Sequence, residues 1–219
     1  MSVMATKRRA DALSKERIVE AAIDILDADG EAALTFRALA TRLDTGSGAI
    51  YHHVANKDEL LTTAADDVIA RGVAVDSSEP RETVRAVAMG VFDAIDAHPW
   101  VGTQLSRQPW QMAIMRIFEG IGGQLDALGV PEEDQFDSAT ALLSYILGLA
   151  AQYAAGARLL ARETDRSDFL ATIAGQWTHT DPGEYPFVHR VSTQLTDHDD
   201  RTQFLAGIDI ILDGITTRT

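Results

Sequence analysis

The sequence predicts an all-α protein, in which an N-terminal three-helix head carrying a helix-turn-helix is joined by a linking helix to a larger helical body. Three observations carry this. Apolar residues recur at helical spacing almost throughout, no run alternates as a strand does, and Ser, Thr, Asn, Gly and Pro punctuate the pattern into helix-length pieces. The chain of 219 residues is 46% hydrophobic, enough for a small unit and a larger one, and it contains no internal repeat.

The first helix runs from Ser14 as N-cap to Asp29, with Ile18, Ala22, Ile25 and Leu26 on one face and Gly30 as a left-handed stop. Thr35 caps a second helix ending near Leu43, in which Phe36, Leu39, Ala40 and Leu43 repeat at helical spacing and Leu34 staples onto Leu39. Asp44-Thr45-Gly46 makes a tight turn, and a short helix from Ser47 to Val54 buries Ile50 and Val54. Two short helices on so short a turn form a helix-turn-helix. Asn56, with Glu59 three residues on, opens the linking helix, whose apolar face is Leu60, Leu61, Ala64, Ala65, Val68 and Ile69. The division falls at residues 1–60 for the head and 61–219 for the body.

Beyond the break at Asp76-Ser77-Ser78-Glu79-Pro80, three helices open near prolines: Pro80 to His98, Pro99 to Arg107, and Pro109 to Leu128 with Gly129 as its stop. A very long helix from Glu132 to Arg162 and another from Ser167 to Trp177 follow. His179 to His198 is poorly periodic and reads as a loop. The last helix, Asp199 to Ile215, aligns Phe204, Ile208, Ile211, Leu212 and Ile215.

Composition removes several function classes. With no cysteine there is no disulfide, thiolate zinc site or cysteine nucleophile, which suits a cytoplasmic protein. Lys7, Arg8 and Arg9 precede charged residues rather than an apolar stretch, so no export signal is read. Ser138 to Ala157 is uncharged and long enough to span a bilayer, but its Ala, Gly, Ser, Thr and Gln content suits helix-on-helix contact, and no membrane span is predicted. There is no serine elbow, phosphate-binding glycine loop or metal-ligand pair, and His98 beside Asp96 lacks companions, so the chain is not read as an enzyme. His179, Asp181, His189, His198 and Asp199 match no metal spacing, and His52 and His53 point apart on a helix; neither metal nor cofactor is called for. The net charge is −14, but residues 1–60 hold 8 Lys and Arg against 10 Asp and Glu, leaving 11 against 23 for the body. Contact with nucleic acid therefore belongs to the head.

The stretch Ile50-Tyr51-His52-His53-Val54-Ala55-Asn56-Lys57-Asp58-Glu59-Leu60-Leu61 resembles the signature of the TetR family of transcriptional regulators, and Leu34 to Ala40 resembles that family's second helix. The closing run Phe204 to Ile215 is similar to the last helix of the subgroup containing the tetracycline repressors. The turn departs from the family, with Asp44 where glycine is usual and Thr45 where an aliphatic residue is usual; Asp tolerates the left-handed conformation. The resemblance implies a sequence-specific regulator, a repressor by family expectation, binding double-stranded operator DNA as a homodimer and released by a small-molecule effector. It implies that the recognition helix presents Ser47, Ala49, Tyr51 and His52 to the major groove. Tyr51 and Lys57 would meet the phosphate backbone, Arg37 and His52 would read bases or groove edges, and Thr35 would both cap its helix and neighbour phosphate. The basic arm Lys7-Arg8-Arg9 could reach phosphate or remain a solvated tail. The alternatives are a helical small-molecule-binding protein, or an enzyme, without specific DNA binding.

Two expectations concern the body. The helix around Ser138 to Ala157 and the last helix carry more apolar and small residues than one subunit covers, which predicts a four-helix bundle across a two-fold axis. Trp100, Trp110, Trp177, Met115, Phe118, Tyr145 and Tyr153 supply aromatic and soft walls for a pocket, with His98 and Gln104 placed to orient a polar group. An ordinary core describes them as well. The body's surplus acid predicts an apolar or aromatic effector, neutral or cationic.

Overall fold

The computed structural model describes residues 13–75, 77–108, 110–160, 166–195 and 199–217. The head comprises α1 (Lys15–Asp29), α2 (Phe36–Arg42) and α3 (Ser47–Tyr51), and α4 (Lys57–Gly72) leads out of it. The body comprises α5 (Pro80–Ala97), α6 (Pro99–Arg107), α7 (Met112–Gly122), α8 (Glu132–Leu160), α9 (Arg166–Thr178), α10 (Pro186–Val191) and α11 (Asp200–Thr216). There is no strand among the described residues.

Side chains set the helix starts by accepting N–H groups that the first turn leaves unpaired. Ser14 Oγ accepts from Arg17 N–H at 3.3 Å, Thr35 Oγ1 from Ala38 N–H at 3.1 Å, and Asp199 Oδ1 from Thr202 N–H at 2.7 Å. At α4, Asn56 Oδ1 accepts from Glu59 N–H, and Glu59 Oε2 accepts from Ala55 N–H, both at 2.8 Å. The Ala55 N–H and then Lys15 hold the Glu59 carboxyl below its usual range. Gly30 stops α1 at φ 77°, ψ 177°, an extended conformation with positive φ that suits only glycine, rather than the left-handed helical one expected.

Three stretches differ from the sequence expectation. The recognition helix ends at Tyr51 rather than Val54, because the Ile50 carbonyl takes the N–H groups of both His53 and Val54 and the chain tightens there. The helix expected from Pro109 to Leu128 is regular only over Met112–Gly122; Gly120, Gly122 and Gly123 follow one another, and turns continue to Gly129 at φ 80°. The stretch read as a loop contains α10, with Pro186 in its first turn, and a 3₁₀ turn at Ser192–Leu195. Lys7, Arg8, Arg9, Pro109, Arg162 and His198 lie outside the described residues.

One core runs from head to body through α4. Leu60 and Leu61 close the head over Ile18, Leu39 and Ile50, while Ala64, Ala65, Val68 and Ile69 continue toward the body, all buried. α4 packs on α1, α5, α6 and α7. It crosses α5 at a pair of glycines: a Cβ on Gly90 would sit 1.9 Å from the Gly72 carbonyl oxygen. Only backbone against backbone fits this crossing. Farther on, α11 is held to α5 by Arg81 and Arg85, both paired with Asp209. No described helix is long and apolar enough to cross a membrane.

Candidate DNA-reading face, body cavity and the helix between them

The head presents a coherent outer face. Thr35, Arg37, Ser47, Tyr51 and His52 are exposed, Ala49 is half-buried, and Ile50 and Val54 beneath them are fully buried. Tyr51 is 55% exposed yet fixed, because its ring stacks on Phe36 with centroids 4.3 Å apart and planes 3° from parallel. A stacked ring loses little side-chain entropy when its hydroxyl meets a partner. The turn survives its departure from glycine: Asp44 has φ 50°, the sole non-glycine positive φ among the described residues. Lys57, read as a backbone contact, is half-buried, and its ammonium donates to the Glu31 carbonyl at 2.6 Å. This bond ties α4 to the 3₁₀ turn Glu31–Ala33 that follows α1.

The body holds a cavity of about 810 Å³ between α6, α7 and α8, within the range of small-molecule sites. Of the nine residues proposed from the sequence as pocket walls or polar guides, Trp110, Met115 and Phe118 line it. Trp110 stands 91% exposed at its mouth, with Phe136 beside it at 70%. The other six candidates lie elsewhere. His98 and Trp100 turn to the head. Gln104 is buried and reaches toward Thr62 at 3.4 Å. Tyr145 stacks on Phe204 and donates to its carbonyl at 3.1 Å, and burial raises its phenol pKa. Tyr153 donates to Gln203 at 3.0 Å, with its ring edge on Phe92. Trp177 is half-buried on α9. These residues were grouped by side-chain type, and type alone does not fix the direction in which a helix presents them.

The sequence reading passed over the wall contributed by α8, which is Phe136, Thr140, Leu143, Leu147 and Ala151. The signal was present in their spacing of four, three, four and four residues, an unbroken helical stripe. It also passed over Asp27. That carboxylate, on the last turn of α1, accepts from Trp100 Nε1 at 2.7 Å and lies 2.8 and 2.9 Å from His98 Nδ1. Arg107, at the other end of α6, pairs with Glu31 at 2.7 Å, and Gln108 takes the Thr62 hydroxyl at 3.0 Å. Thus α6 grips the head with one set of residues and lines the cavity with Gly102, Leu105 and Ser106.

The described residues contain no group of three His, Asp or Glu able to hold a metal; His179, Asp181, His189 and Asp199 form no such site.

Comparison with known proteins agrees with this organisation. The profile described as "Bacterial regulatory proteins, tetR family" matches residues 18–64, and "Tetracyclin repressor-like, C-terminal domain" matches residues 77–219. A solved TetR transcriptional regulator of Streptomyces coelicolor is 50% identical, with a TM-score of 0.87 over 94% of this chain and 99% of that one. ActR of Streptomyces coelicolor, solved in complex with actinorhodin, is 26% identical with a TM-score of 0.75, over 93% of this chain and 95% of that one. An HTH-type transcriptional regulator of Saccharopolyspora erythraea is 31% identical over 140 residues, 62% of this chain; the match spans 59% of that relative's length.

Proposed function

The chain belongs to the TetR family of helix-turn-helix transcriptional regulators, and from that premise we propose that it is a homodimeric repressor whose effector fills the α6–α7–α8 cavity. Residues 1–60 read DNA and residues 61–219 bind effector and dimerise. The dimer acts in the cytoplasm on a palindromic operator, because one five-residue recognition helix touches only a few base pairs and two-fold pairing doubles the site. Tyr51 and Lys57 meet phosphate, with Thr35 as a phosphate neighbour. Arg37, His52, Ser47 and Ala49 face the bases. In this reading the chain carries no catalytic step.

The observation that carries the proposal is the double engagement of α6. A ligand that displaces Leu105 or Ser106 moves the helix that holds Asp27 and Glu31 of the head. Effector binding favours whichever head spacing its contacts favour, and can do no more than its differential affinity allows. Actinorhodin bound to ActR supports the size of ligand such a body accepts.

The test is a gel shift on DNA flanking the gene, with salt titration. Tyr51→Ala weakens specific and random DNA alike, by about tenfold, without changing the salt slope because the phenol is neutral; Lys57→Ala weakens both and lowers the slope, whereas His52→Ala changes sequence preference. Trp100→Phe leaves DNA binding intact and reduces its response to effector. Unaltered affinity and salt slope in the head variants would overturn the DNA-reading assignment.

A further inference from the structure

We infer that the cavity selects a lipophilic aromatic cation, an amine on a fused-ring or biaryl skeleton, with Glu119 as the counter-charge. The inference rests on reading this cavity as the effector site. Its walls are aromatic, thioether and aliphatic, from Trp110, Met115, Phe118, Phe136 and Leu143. The polar side-chain groups among its described lining residues are the Trp110 indole N–H, Ser106, Thr140 and Glu119, and of these Glu119 alone ionises.

Three features give this end of the cavity one sign. Glu119 stands in the last turn of α7, where its own backbone carbonyl and those of its neighbours contribute the negative end of the helix dipole. The nearest base on that helix, Arg116, is turned away to Asp66, with Nε and Oδ1 4.0 Å apart. Around them the body holds 11 Lys and Arg against 23 Asp and Glu. An ammonium group therefore meets a carboxylate with no competing cation among the described lining residues. Its ring system meets Trp110, Phe118 and Phe136, whose faces favour cations as well as apolar surface. A carboxylate ligand would meet repulsion from Glu119 and the helix end and find no base in the described wall.

The test uses the full-length protein and three probes on one skeleton: pyrenebutylamine, its N-acetyl derivative and pyrenebutyric acid. Binding is read from quenching of tryptophan and from pyrene emission. The expected order is amine, then amide, then acid. Glu119 is solvent-exposed at the cavity wall, so Glu119→Gln weakens the amine about threefold, the effect of a solvent-screened ion pair, and leaves the amide unchanged. Leu143→Trp fills the cavity and weakens all three probes, its folding being checked by circular dichroism and a parental urea midpoint. Leu147→Trp serves as a second filling variant if the first does not fold. Equal binding of the three probes, preference for the acid, or an amine preference surviving Glu119→Gln would overturn the charge assignment while leaving the site in place. Binding that a folded filling variant leaves unaltered would overturn the site itself.

Discussion

Asp209 illustrates how single side chains hold this body. It lies on α11 but belongs energetically to α5, because Arg85 bonds one carboxylate oxygen and Arg81 approaches the other at 3.3 Å, while Arg81 also reaches Asp213 at 2.8 Å. The hydrogen bond from Arg85, aided by the charge of both arginines, lowers its pKa from the usual 3.8, burial opposing. A carboxyl depressed in the folded state stabilises fully above its unfolded pKa, and that stability is lost as pH falls through the lower folded value. Asp209→Asn should therefore lower the urea midpoint at pH 7, and the gap to the parent should close as pH drops below the ordinary carboxylate range. A gap of equal size at both pH values would mean that the pair contributes shape rather than charge. On the head, Tyr51 and Phe36 make the same point without charge: their stack was not legible in the sequence, since a contact between neighbouring helices depends on how those helices cross.

Helices were legible wherever capping and periodicity agreed, as at Ser14, Thr35, Asn56 and Asp199, and the expected starts there match the observed ones. They were less legible where one signal stood alone. The apolar pattern from Met112 to Leu128 continues past three glycines that end the regular helix, and α10 is too short for periodicity to announce it. Half of the cavity was hidden for a related reason: α8 is apolar on more than one face, so its cavity stripe did not stand out from its core stripe. The α4–α5 crossing was also hidden, because glycine reads as a weak helix former and not as a contact. Its consequence is testable. In Gly90→Ala the new methyl must clear the Gly72 carbonyl, so the helices part, at a cost of about 1–3 kcal/mol for such overpacking. Because α4 carries the head, weaker operator binding should accompany the fall in Tm. A variant with parental Tm and operator affinity would show that this crossing yields freely.

At the scale of the whole molecule, the charge is divided between an acidic body and a less acidic head, and the proposed dimer would have to join two heads at a fixed spacing. The faces available for a two-fold bundle can now be separated from those already used. On α8, Ala151 lines the cavity, so a charge there would report on the proposed effector site as much as on association. Ala141, Ser144 and Gln152 stand exposed and outside the cavity lining, on a face open to close helix contact. On α11, Ile211 packs against the core, whereas Ile210 is 71% exposed and Ala206 and Gly214 flank it one turn away on either side. An isoleucine so exposed is costly to leave in water and cheap to cover with its symmetry mate. Ile210→Asp should therefore spare the fold of each subunit, since the side chain is already solvated, but bring like charges together across the axis. The expected result is a folded monomer by light scattering and circular dichroism, with operator affinity reduced at least tenfold because each head then binds its half-site alone. Ile211→Asp, by contrast, should unfold the subunit and its dimer together. If Ile210→Asp remains a dimer with full operator affinity, the two-fold axis passes through another face of the body.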